Sequence, residues 1–313
     1  MKQTYQLLIA AGLILLVSLG LLFSRILLNI EYIPPEVSEQ VDSTAVDRHE
    51  GKPTVLIGVI SRYAPYLIYE GYQPIMDYLT ENSDYIYSLR LSSSYQDAAD
   101  KLINGEVAAS FFGTKIYLEM VDRADIEPIL APLGPAGTPF IHSMLITSNT
   151  SPVHTAHDLV GRSIALPSEL SFSGQWGMIH LMRSNGLKID SFLKIQHFSH
   201  HQTVVYKVLK HEYDVGVVKD RVAEEFANQG IRVLAVSPPF PSSPIVALHQ
   251  RASSPEILKM KELLLKLDPS NETDRTLIRQ WDPEFAYGFT EVSRDLYVNV
   301  KSSIEDSLRE IFK

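Results

Sequence analysis

The 313-residue sequence contains no cysteine. This absence excludes disulfide bonds, thiolate metal sites, cysteine nucleophiles and lipid attachment through an N-terminal cysteine. Basic residues are in the minority, with 28 Lys and Arg against 37 Asp and Glu, for a formal net charge of −9. Binding to a nucleic-acid backbone requires a basic face, so the charge argues against a nucleic-acid partner. It does not argue against a small anion held by hydroxyl groups and helix dipoles.

The sequence also lacks the common signatures of nucleotide-binding and hydrolytic enzymes. It has no Walker loop and no Gly-x-Gly-x-x-Gly pattern. The stretch SFSGQ at 171–175 is not a nucleophile elbow, because that turn needs a glycine two residues before the serine and Ser171 stands there. The carboxylates are scattered, without a recognisable catalytic pair. We therefore predict a non-catalytic protein without a cofactor.

The N-terminal region is long and apolar. Residues 7–23 carry no charge, and the apolar character continues to residue 30. A membrane-spanning helix needs about 20 apolar residues, whereas the core of a cleavable signal has about 7–15. A signal cleaved near Ser18 and Gly20 is the alternative, but we favour an uncleaved single-pass anchor over residues 1–30. The anchor would lie in the inner (cytoplasmic) membrane, with the rest of the chain in the periplasm or other extracytoplasmic space.

Residues 31–52 form a predicted linker, because they are polar, contain Pro34 and Pro35 and show no periodicity. From residue 53 onward, short apolar runs alternate with runs of helical periodicity. The predicted strands are 55–60, 86–91, 107–112, 140–147, 163–166, 214–218 and 232–236. The predicted helices are 72–79, 95–103, 176–183 and 203–209. Strands separated by helices indicate βαβ units and mostly parallel sheets, whose ligands lie beyond the carboxyl ends of strands.

One turn raises a specific question. Residues 171–174, Ser-Phe-Ser-Gly, separate the apolar run 163–166 from a helical run that begins at Trp176. A turn of this kind can simply cap a helix, or it can present backbone N–H groups and the helix dipole to an oxyanion. The residues of the turn alone leave both interpretations open.

The histidines offer a weaker signal. His154 and His157 are three residues apart in a loop that leads into a helix start, and plain surface positions are the favoured interpretation. His197, His200 and His201 fit a strand end that runs into a helix cap. The alternatives for this cluster are a structural role, an anion-facing histidine or, least favoured, a metal site. We predict no metal site.

Tyrosines are numerous in the first half of the predicted strand and helix region. A tyrosine packs and hydrogen-bonds at once, and it therefore often lines a cleft. The candidates are Tyr63, Tyr66, Tyr72, Tyr95 and Tyr117. We expect Tyr72 to pack on the apolar face of its helix.

Six segments between residues 55 and 298 resemble, in order, the phosphonate/phosphite-binding proteins of ABC transporters. They are VLIGVISRYAPYLIYEGYQPIMDYL (55–79), SSSYQDAADKLINGEVAASFFGTKIYLEM (92–120), GTPFIHSMLI (137–146), HDLVGRSIALPSELSFSG (157–174), HFSHHQTVVYKVLKHEYDVGVV (197–218) and SPPFPSSPIVAL (237–248). The chain departs from the family pattern at several positions. Ala108 replaces a usual aspartate, Ile141 a tyrosine, Phe172 a threonine, and Ser61 and Thr114 replace prolines.

The resemblance implies an α/β, two-lobe periplasmic binding protein fold of type II, preceded by the N-terminal transmembrane helix. Lobe 1 would comprise 53–150 and 245–290, lobe 2 would comprise 151–244, and 291–313 would form a C-terminal helical segment. In the family, the turn at the helix start holds the phosphonate oxygens. The residues implied in ligand binding are Ser171, Ser173 and Gly174 on the anion, Tyr95, Tyr117 and His201 completing the cage, and Tyr63, Gly113, Thr114 and Phe172 beside them. For Phe172 we favour a cleft-facing ring over a ring packed beneath the helix start.

The implied function is capture of a small oxyanion, such as a phosphonate, phosphite or phosphate, between the two lobes. The bound ligand would pass to the permease of an ABC importer or signal to a membrane sensor protein. A second hypothesis is a degenerate binding fold that acts as a sensor or interaction module for a different ligand, and the departures at Ala108, Ile141 and Phe172 favour it. A third, an enzyme on the same fold, is disfavoured by the missing nucleophile and base.

Overall fold

The computed structural model describes residues 51–60, 65–122 and 124–311. The predicted anchor, nearly all of the predicted linker and Tyr63 lie outside these residues. Within the described ranges, no helix combines the length and the apolar character needed to cross a membrane. All the elements described below lie in one unit that begins at Lys52.

The described residues form two main sheets and one short strand pair. The strands are β1 Thr54–Val59, β2 Ile86–Leu91, β3 Ala109–Phe111, β4 Ile126–Pro132, β5 Phe140–Ile141, β6 Ser143–Ser148, β7 Ser163–Leu166, β8 Lys194–His197, β9 Val215–Lys219, β10 Ile231–Val236, β11 Phe240–Pro241, β12 Ile245–Leu248 and β13 Phe289–Thr290. The six-stranded sheet has the order β13-β4-β12-β3-β1-β2 and the five-stranded sheet the order β10-β6-β9-β7-β8. We call the region around the first sheet lobe 1 and the region around the second sheet lobe 2.

Helices cover the sheets of both lobes. They are α1 Pro65–Glu81, α2 Tyr95–Ile103, α3 Thr114–Met120, α4 Met178–Ser184, α5 His201–Leu209, α6 Asp220–Glu225, α7 Pro255–Lys266, α8 Glu272–Ile278 and α9 Arg294–Ile311. The parallel pairs β1–β2 and β1–β3 in lobe 1, and β7–β8 and β7–β9 in lobe 2, are joined by helical crossovers. This is the βαβ architecture that the alternating sequence pattern predicts.

The core of lobe 1 explains the apolar spacing of α1. Ile68, Tyr72, Ile75 and Leu79 recur at helical intervals and are at most 2% exposed, so they form one apolar face against the sheet. Each such side chain contributes about 1.5–3 kcal/mol by leaving water. Tyr72 packs edge-on against the ring of Phe111, with centroids 5.0 Å apart. Tyr72 is therefore a core residue, as predicted.

The chain crosses between the lobes twice, at 133–142 and at 237–244. In the middle of these segments, β5 and β11 pair antiparallel, with Phe140 opposite Pro241 and Ile141 opposite Phe240. His142 then fixes the start of lobe 2, since its backbone N–H donates to Asp220 Oδ2 at 2.7 Å. Its Nδ1–H donates to the carbonyl of Ser237 at 2.7 Å.

These crossings correct two expectations. The predicted strand 140–147 is two strands, because the chain leaves the β5–β11 pair at residue 142 and joins a different sheet at residue 143. The predicted lobe boundary at residue 150 falls too late, because β6 pairs with β9 and β10 inside the lobe 2 sheet. The second crossing ends where β12 begins, at Ile245, in the lobe 1 sheet.

Candidate ligand-binding site

A small cavity lies between the lobes, close to the crossing segments. Its volume is about 80 Å³, well below the 300–1,000 Å³ typical of pockets for drug-sized molecules. Seven of the ten predicted site residues line it. They are Tyr95, Gly113 and Thr114 from lobe 1, and Ser171, Phe172, Ser173 and His201 from lobe 2. No carboxylate occurs among the described residues that line this cavity.

Helix starts face the cavity from both lobes. Helix α5 begins at His201 in lobe 2, and α3 begins at Thr114 in lobe 1. A π-helical turn, Ser173–Gly177, runs directly into α4. The first turn of a helix has N–H groups without intrahelical partners and carries the positive end of the helix dipole. A cavity bordered by several such ends favours a negatively charged occupant.

The serine turn itself is ordered by its hydroxyl groups. Ser171 Oγ accepts a hydrogen bond from the backbone N–H of Gly174 at 3.1 Å. Ser173 is 2% exposed, and its Oγ accepts a hydrogen bond from Ser143 Oγ at 3.0 Å. A hydroxyl that accepts one hydrogen bond keeps its own proton to donate. Both serines therefore have a donor to offer an oxygen in the cavity.

The two glycines of the turn are required by close approach. A Cβ at Gly174 would lie 2.3 Å from the carbonyl oxygen of Ser168, and a Cβ at Gly177 would lie 2.0 Å from Ser143 Oγ. No side chain fits at such distances without displacing its neighbour. The glycines let the turn pack directly on the loop after β7 and on β6. Gly174 does not itself line the cavity, and its part in the site is the N–H that it donates to Ser171.

His201 is oriented by a backbone hydrogen bond. Its Nδ1 accepts the N–H of Lys219 at 3.2 Å, so in the neutral ring the proton resides on Nε2. That Nε2–H donates to Ser171 Oγ at 3.5 Å. His201 therefore presents a donor beside the serine turn, which is the arrangement that the anion-facing alternative requires.

Phe172 lies on the wall of the cavity, but its ring is largely buried. The side chain is 6% exposed. Its ring centroid lies 4.4 Å from that of Phe240 and 5.8 Å from that of Trp176. The ring borders the cavity, but it packs inward on the crossing strand β11 instead of standing open in the cleft, which was the favoured expectation. The physical reason is that Phe240 and Ile141 offer an apolar surface at this point.

Tyr117 is not brought into the site. It is fully buried, and its ring packs edge-on against Tyr297 at 4.8 Å. Its Oη has no hydrogen-bond partner in the described part of the chain, and burial raises its pKa. Tyr117 lies on the side of α3 that faces α9, so it belongs to the core instead of the predicted cage. Tyr63 falls outside the described residues.

Two lysines that sequence reasoning missed also line the cavity. Lys115 Nζ donates to the carbonyl of Glu169 at 2.8 Å. Lys219 Nζ lies 2.7 Å from Glu284 Oε1. Lys115 follows β3 by four residues, and Lys219 is the last residue of β9. A position at the carboxyl end of a strand was the signal that the sequence offered for both.

A larger cavity of about 880 Å³ adjoins the small one, and the two share His200, Lys219 and Val222. Its lining includes the aromatic side chains of Tyr66, Tyr206 and Trp281 and the carboxylates of Glu70, Glu224, Glu225, Asp282 and Glu284. Burial, reinforced by the charge of Asp220, raises the pKa of Glu224, and burial also raises that of Glu225. The two cavities therefore differ in character. The small one has hydroxyls and lysines without a described carboxylate, whereas the larger one has aromatic rings and five carboxylates beside Arg221 and Lys219.

Two further candidate histidines, His154 and His197, have structural contacts. The backbone N–H of His154 donates to Asp158 Oδ2 at 2.9 Å, which caps the following turn. His197 Nδ1–H donates to the carbonyl of Pro167 at 2.7 Å. Within the described ranges, no group of three or more His, Asp or Glu side chains is placed to hold a metal ion. The side chain of His157 is not among those that the structure describes.

Two α/β lobes, joined by two crossing segments and enclosing a polar cavity, define a two-lobe periplasmic binding protein fold. A family model supports this class. The model described as "ABC transporter, phosphonate, periplasmic substrate-binding protein" matches residues 57–297. The chain belongs to this family of substrate-binding proteins, which are not enzymes.

Solved structures show the same fold at low sequence identity. A binding protein component of an ABC phosphonate transporter from Pseudomonas aeruginosa aligns with a TM-score of 0.66 and 18% identity, over 81% of this chain and 86% of that one. PhnD1 from Prochlorococcus marinus, in complex with methylphosphonate, aligns with a TM-score of 0.69 and 14% identity, over 82% and 99%. The periplasmic aliphatic sulphonate binding protein SsuA from Escherichia coli aligns with a TM-score of 0.57 and 13% identity, over 82% and 92%. A search of the curated proteins found no match.

Proposed function

We propose that the protein captures a phosphonate-like oxyanion between its lobes for an ABC importer. The observation that carries the proposal is the small cavity, where hydroxyl groups and helix starts converge and the described lining holds no carboxylate. Ser171 and Ser173 would donate their hydroxyl protons to the anion, and His201 would donate from Nε2. Hydrogen bonds to a charged group contribute about 1.5–3 kcal/mol each, so a few of them support tight binding although Lys115 and Lys219 already have protein partners. The methylphosphonate complex of PhnD1 is consistent with this ligand class.

The larger cavity limits which organic substituent the ligand can carry. The oxyanion would occupy the small cavity, and the organic substituent would extend past Lys219 into the larger one. Five carboxylates, among them Glu224 and Glu225, outnumber Arg221 and Lys219 in that lining, so a second anionic group is disfavoured there. The proposed ligand therefore has one anionic end and a neutral or positively charged substituent.

Membrane attachment is a further part of the proposal, and its support is the uncharged run 7–23. An uncleaved anchor would hold the binding lobes beside the permease, whereas a freely diffusing protein would shuttle ligand to it. N-terminal sequencing of the membrane fraction tests this point. A mature chain that begins near Leu21 would overturn it.

The ligand proposal is tested with Ser171→Ala combined with Ser173→Ala. The expected result is at least a tenfold weaker affinity for methylphosphonate, because two donors to one charged ligand are lost and each 1.4 kcal/mol is a factor of ten. Calorimetric titrations with methylphosphonate, phosphite, phosphate and methanesulfonate measure the affinity, and thermal melts check the fold. Ser184→Ala is the matched control, because this serine lies on α4 and donates to the carbonyl of His180 instead of lining the cavity.

Two outcomes would count against the proposal. An unchanged affinity in the double variant, with an unchanged melting temperature, would move the ligand to a different pocket. A wild-type protein that binds none of the four anions would favour the sensor or interaction module.

A further inference from the structure

Two lysines, one from each lobe, reach across to the opposite lobe and flank the small cavity. Lys115 stands at the start of α3 in lobe 1, and its Nζ donates to the carbonyl of Glu169 in lobe 2 at 2.8 Å. Lys219 ends β9 in lobe 2, and its Nζ lies 2.7 Å from the carboxylate of Glu284 in lobe 1. Both lysines line the small cavity. Two side-chain contacts at the candidate anion site therefore connect the lobes, in addition to the crossing segments.

Glu284 is held rigidly in lobe 1. It occupies the 3-10 turn Pro283–Phe285, and its backbone N–H donates to Asp282 Oδ1 at 2.8 Å. The N–H of Asp282 in turn donates to the carbonyl of Gly71 on α1 at 2.8 Å. The neighbouring Phe285 is 2% exposed in the lobe 1 core. The carboxylate of Glu284 thus stands at a position that is fixed relative to the lobe 1 sheet.

Lys219 is fixed from the other side. Its backbone N–H is bound by His201 Nδ1 at 3.2 Å, so the residue that carries the ammonium also orients the histidine of the small cavity. A change in the position of Lys219 would therefore change the position of the Nε2 donor. The ion pair and the anion site share one structural support.

The burial of the pair determines how it acts. The side chain of Lys219 is 17% exposed and that of Glu284 is 7% exposed. Exposed ion pairs contribute little, but a buried charge that loses its partner is strongly unfavourable. When the lobes separate, both charges regain water, so the intact pair allows opening. When Glu284 is replaced, the charge of Lys219 is penalised only while the lobes are together.

We propose that Glu284 is a positioning residue for ligand binding, which acts through Lys219 to hold the two lobes at the separation that forms the small cavity. This inference deepens the proposed function and rests on it for the consequence on affinity. The effect on lobe separation does not depend on the identity of the ligand. The two parts are therefore tested by separate measurements.

The first measurement is the distance between the lobes in the ligand-free protein. The absence of native cysteine allows clean double labelling, with Glu70→Cys on α1 and Tyr206→Cys on α5, which border the larger cavity from opposite lobes. Pulsed electron spin resonance gives the distribution of distances between two spin labels at these sites. We expect Glu284→Gln, and independently Lys219→Met, to shift the population to longer distances. The exchanged pair, Lys219→Glu with Glu284→Lys, should restore the shorter distance, because both buried charges regain a partner.

Glu291→Gln is the matched control. Glu291 pairs with Lys261 at 2.8 Å, but both residues lie in lobe 1. Loss of this ion pair should leave the distance distribution unchanged. Thermal melts identify any variant that is not folded. If either Glu284→Gln or Lys219→Met fails to fold, the remaining one of these two is compared with wild type.

The second measurement is the affinity for methylphosphonate by calorimetry. Glu284→Gln should weaken it by about ten- to a hundredfold. The exchanged pair is compared by distance only, because it places a carboxylate in the lining of the small cavity. A distance distribution that Glu284→Gln and Lys219→Met leave unchanged would overturn the proposal, and so would an exchanged pair that stays open. If the distances shift as expected but no anion binds to any variant, the positioning of the lobes stands and the proposed ligand class fails.

Discussion

Replacing Phe172 with alanine separates the two roles that the structure gives this side chain. The ring is 6% exposed, packs on Phe240 at 4.4 Å and Trp176 at 5.8 Å, and also borders the small cavity. Loss of a buried phenylalanine side chain costs about 3–5 kcal/mol of unfolding free energy. For a domain of 150–250 residues, about 2–4 °C of melting temperature correspond to 1 kcal/mol. We expect Phe172→Ala to melt about 6–20 °C below wild type.

The same substitution should weaken ligand binding, because the small cavity loses one wall and gains room for water beside the anion. Phe289→Ala is the matched control. Phe289 is also 6% exposed and also contacts two rings, Trp281 and Phe285, but it does not line the small cavity. The two variants should lose similar stability, and only Phe172→Ala should lose affinity, by about threefold or more as an order-of-magnitude expectation for lost apolar contacts.

A third variant, Phe172→Thr, isolates the hydroxyl that the family usually places here. It should melt like Phe172→Ala, since the ring is lost in both. It should bind methylphosphonate more tightly than Phe172→Ala, by up to one hydrogen bond to a charged group, about 1.5–3 kcal/mol. Thermal melts and calorimetry on the three variants provide the comparison. A Phe172→Ala protein that melts within one or two degrees of wild type, taken as roughly the shift of half a kcal/mol, would refute the packing argument.

Two further predictions concern the structural supports of lobe 2. Gly177→Ala should lower the free energy of unfolding by about 1–3 kcal/mol, because its Cβ would lie 2.0 Å from Ser143 Oγ. Denaturant titration should show that adding Ser143→Gly recovers part of this loss. A Gly177→Ala protein as stable as wild type would contradict the close approach. Asp214→Asn should also lower the free energy of unfolding. Burial raises the pKa of the Asp214 carboxyl, but hydrogen bonds from Ser163, at 2.6 and 2.8 Å, and the charge of Arg162 lower it by more, so the net shift is downward. A lowered carboxyl pKa gives stability that is present above the unfolded-state value near 3.8 and is lost as the pH falls through the folded-state value. The difference from wild type should therefore be full at pH 7 and shrink below about pH 4, and a difference that is independent of pH would argue against the charged form as the acceptor.

The elements with local signals were predicted closely. The strand 86–91, the helix 95–103 and the strand 163–166 agree with the structure residue for residue. The helix owes this to its caps, since Ser94 Oγ accepts the N–H of Asp97 and the chain turns at Asn104. Such signals lie within a few residues of the element, so the sequence displays them directly.

Helix α1 was predicted to start at Tyr72, but it begins at Pro65 and continues through Pro74. Proline at the first helical position is favourable, because its missing N–H has no intrahelical partner to lose. Pro74 in the interior removes one hydrogen bond of the helix. The buried apolar face on both sides of it, from Ile68 to Leu79, offsets that loss. Local helix propensity does not report tertiary packing of this kind, so the sequence pattern did not predict the first turns of the helix.

In the candidate site, too, features with a local signal could be predicted and contacts between distant residues could not. The residue types of the serine turn and its position after a strand could be recognised from sequence. The burial of Tyr117 could not, because its partner Tyr297 lies 180 residues further along the chain. The pairing of Lys219 with Glu284 follows no spacing rule either, since the two residues are 65 positions apart. Both contacts depend on the second crossing between lobes, which brings the C-terminal part of the chain back to lobe 1.

The position of β12 has a consequence for the order in which the molecule assembles. This strand lies between β3 and β4 in the six-stranded sheet, yet it is synthesised after the whole of lobe 2. Until residue 248 has left the ribosome, β3 and β4 each present an unpaired edge, which is a template for pairing with another chain. Lobe 2 is continuous in sequence, so its sheet can close first, while lobe 1 waits for a distant segment and folds slowly. A nascent chain that stops short of β12 is therefore expected to hold one finished lobe and one split sheet, a state suited to recognition by chaperones and poorly suited to ligand capture.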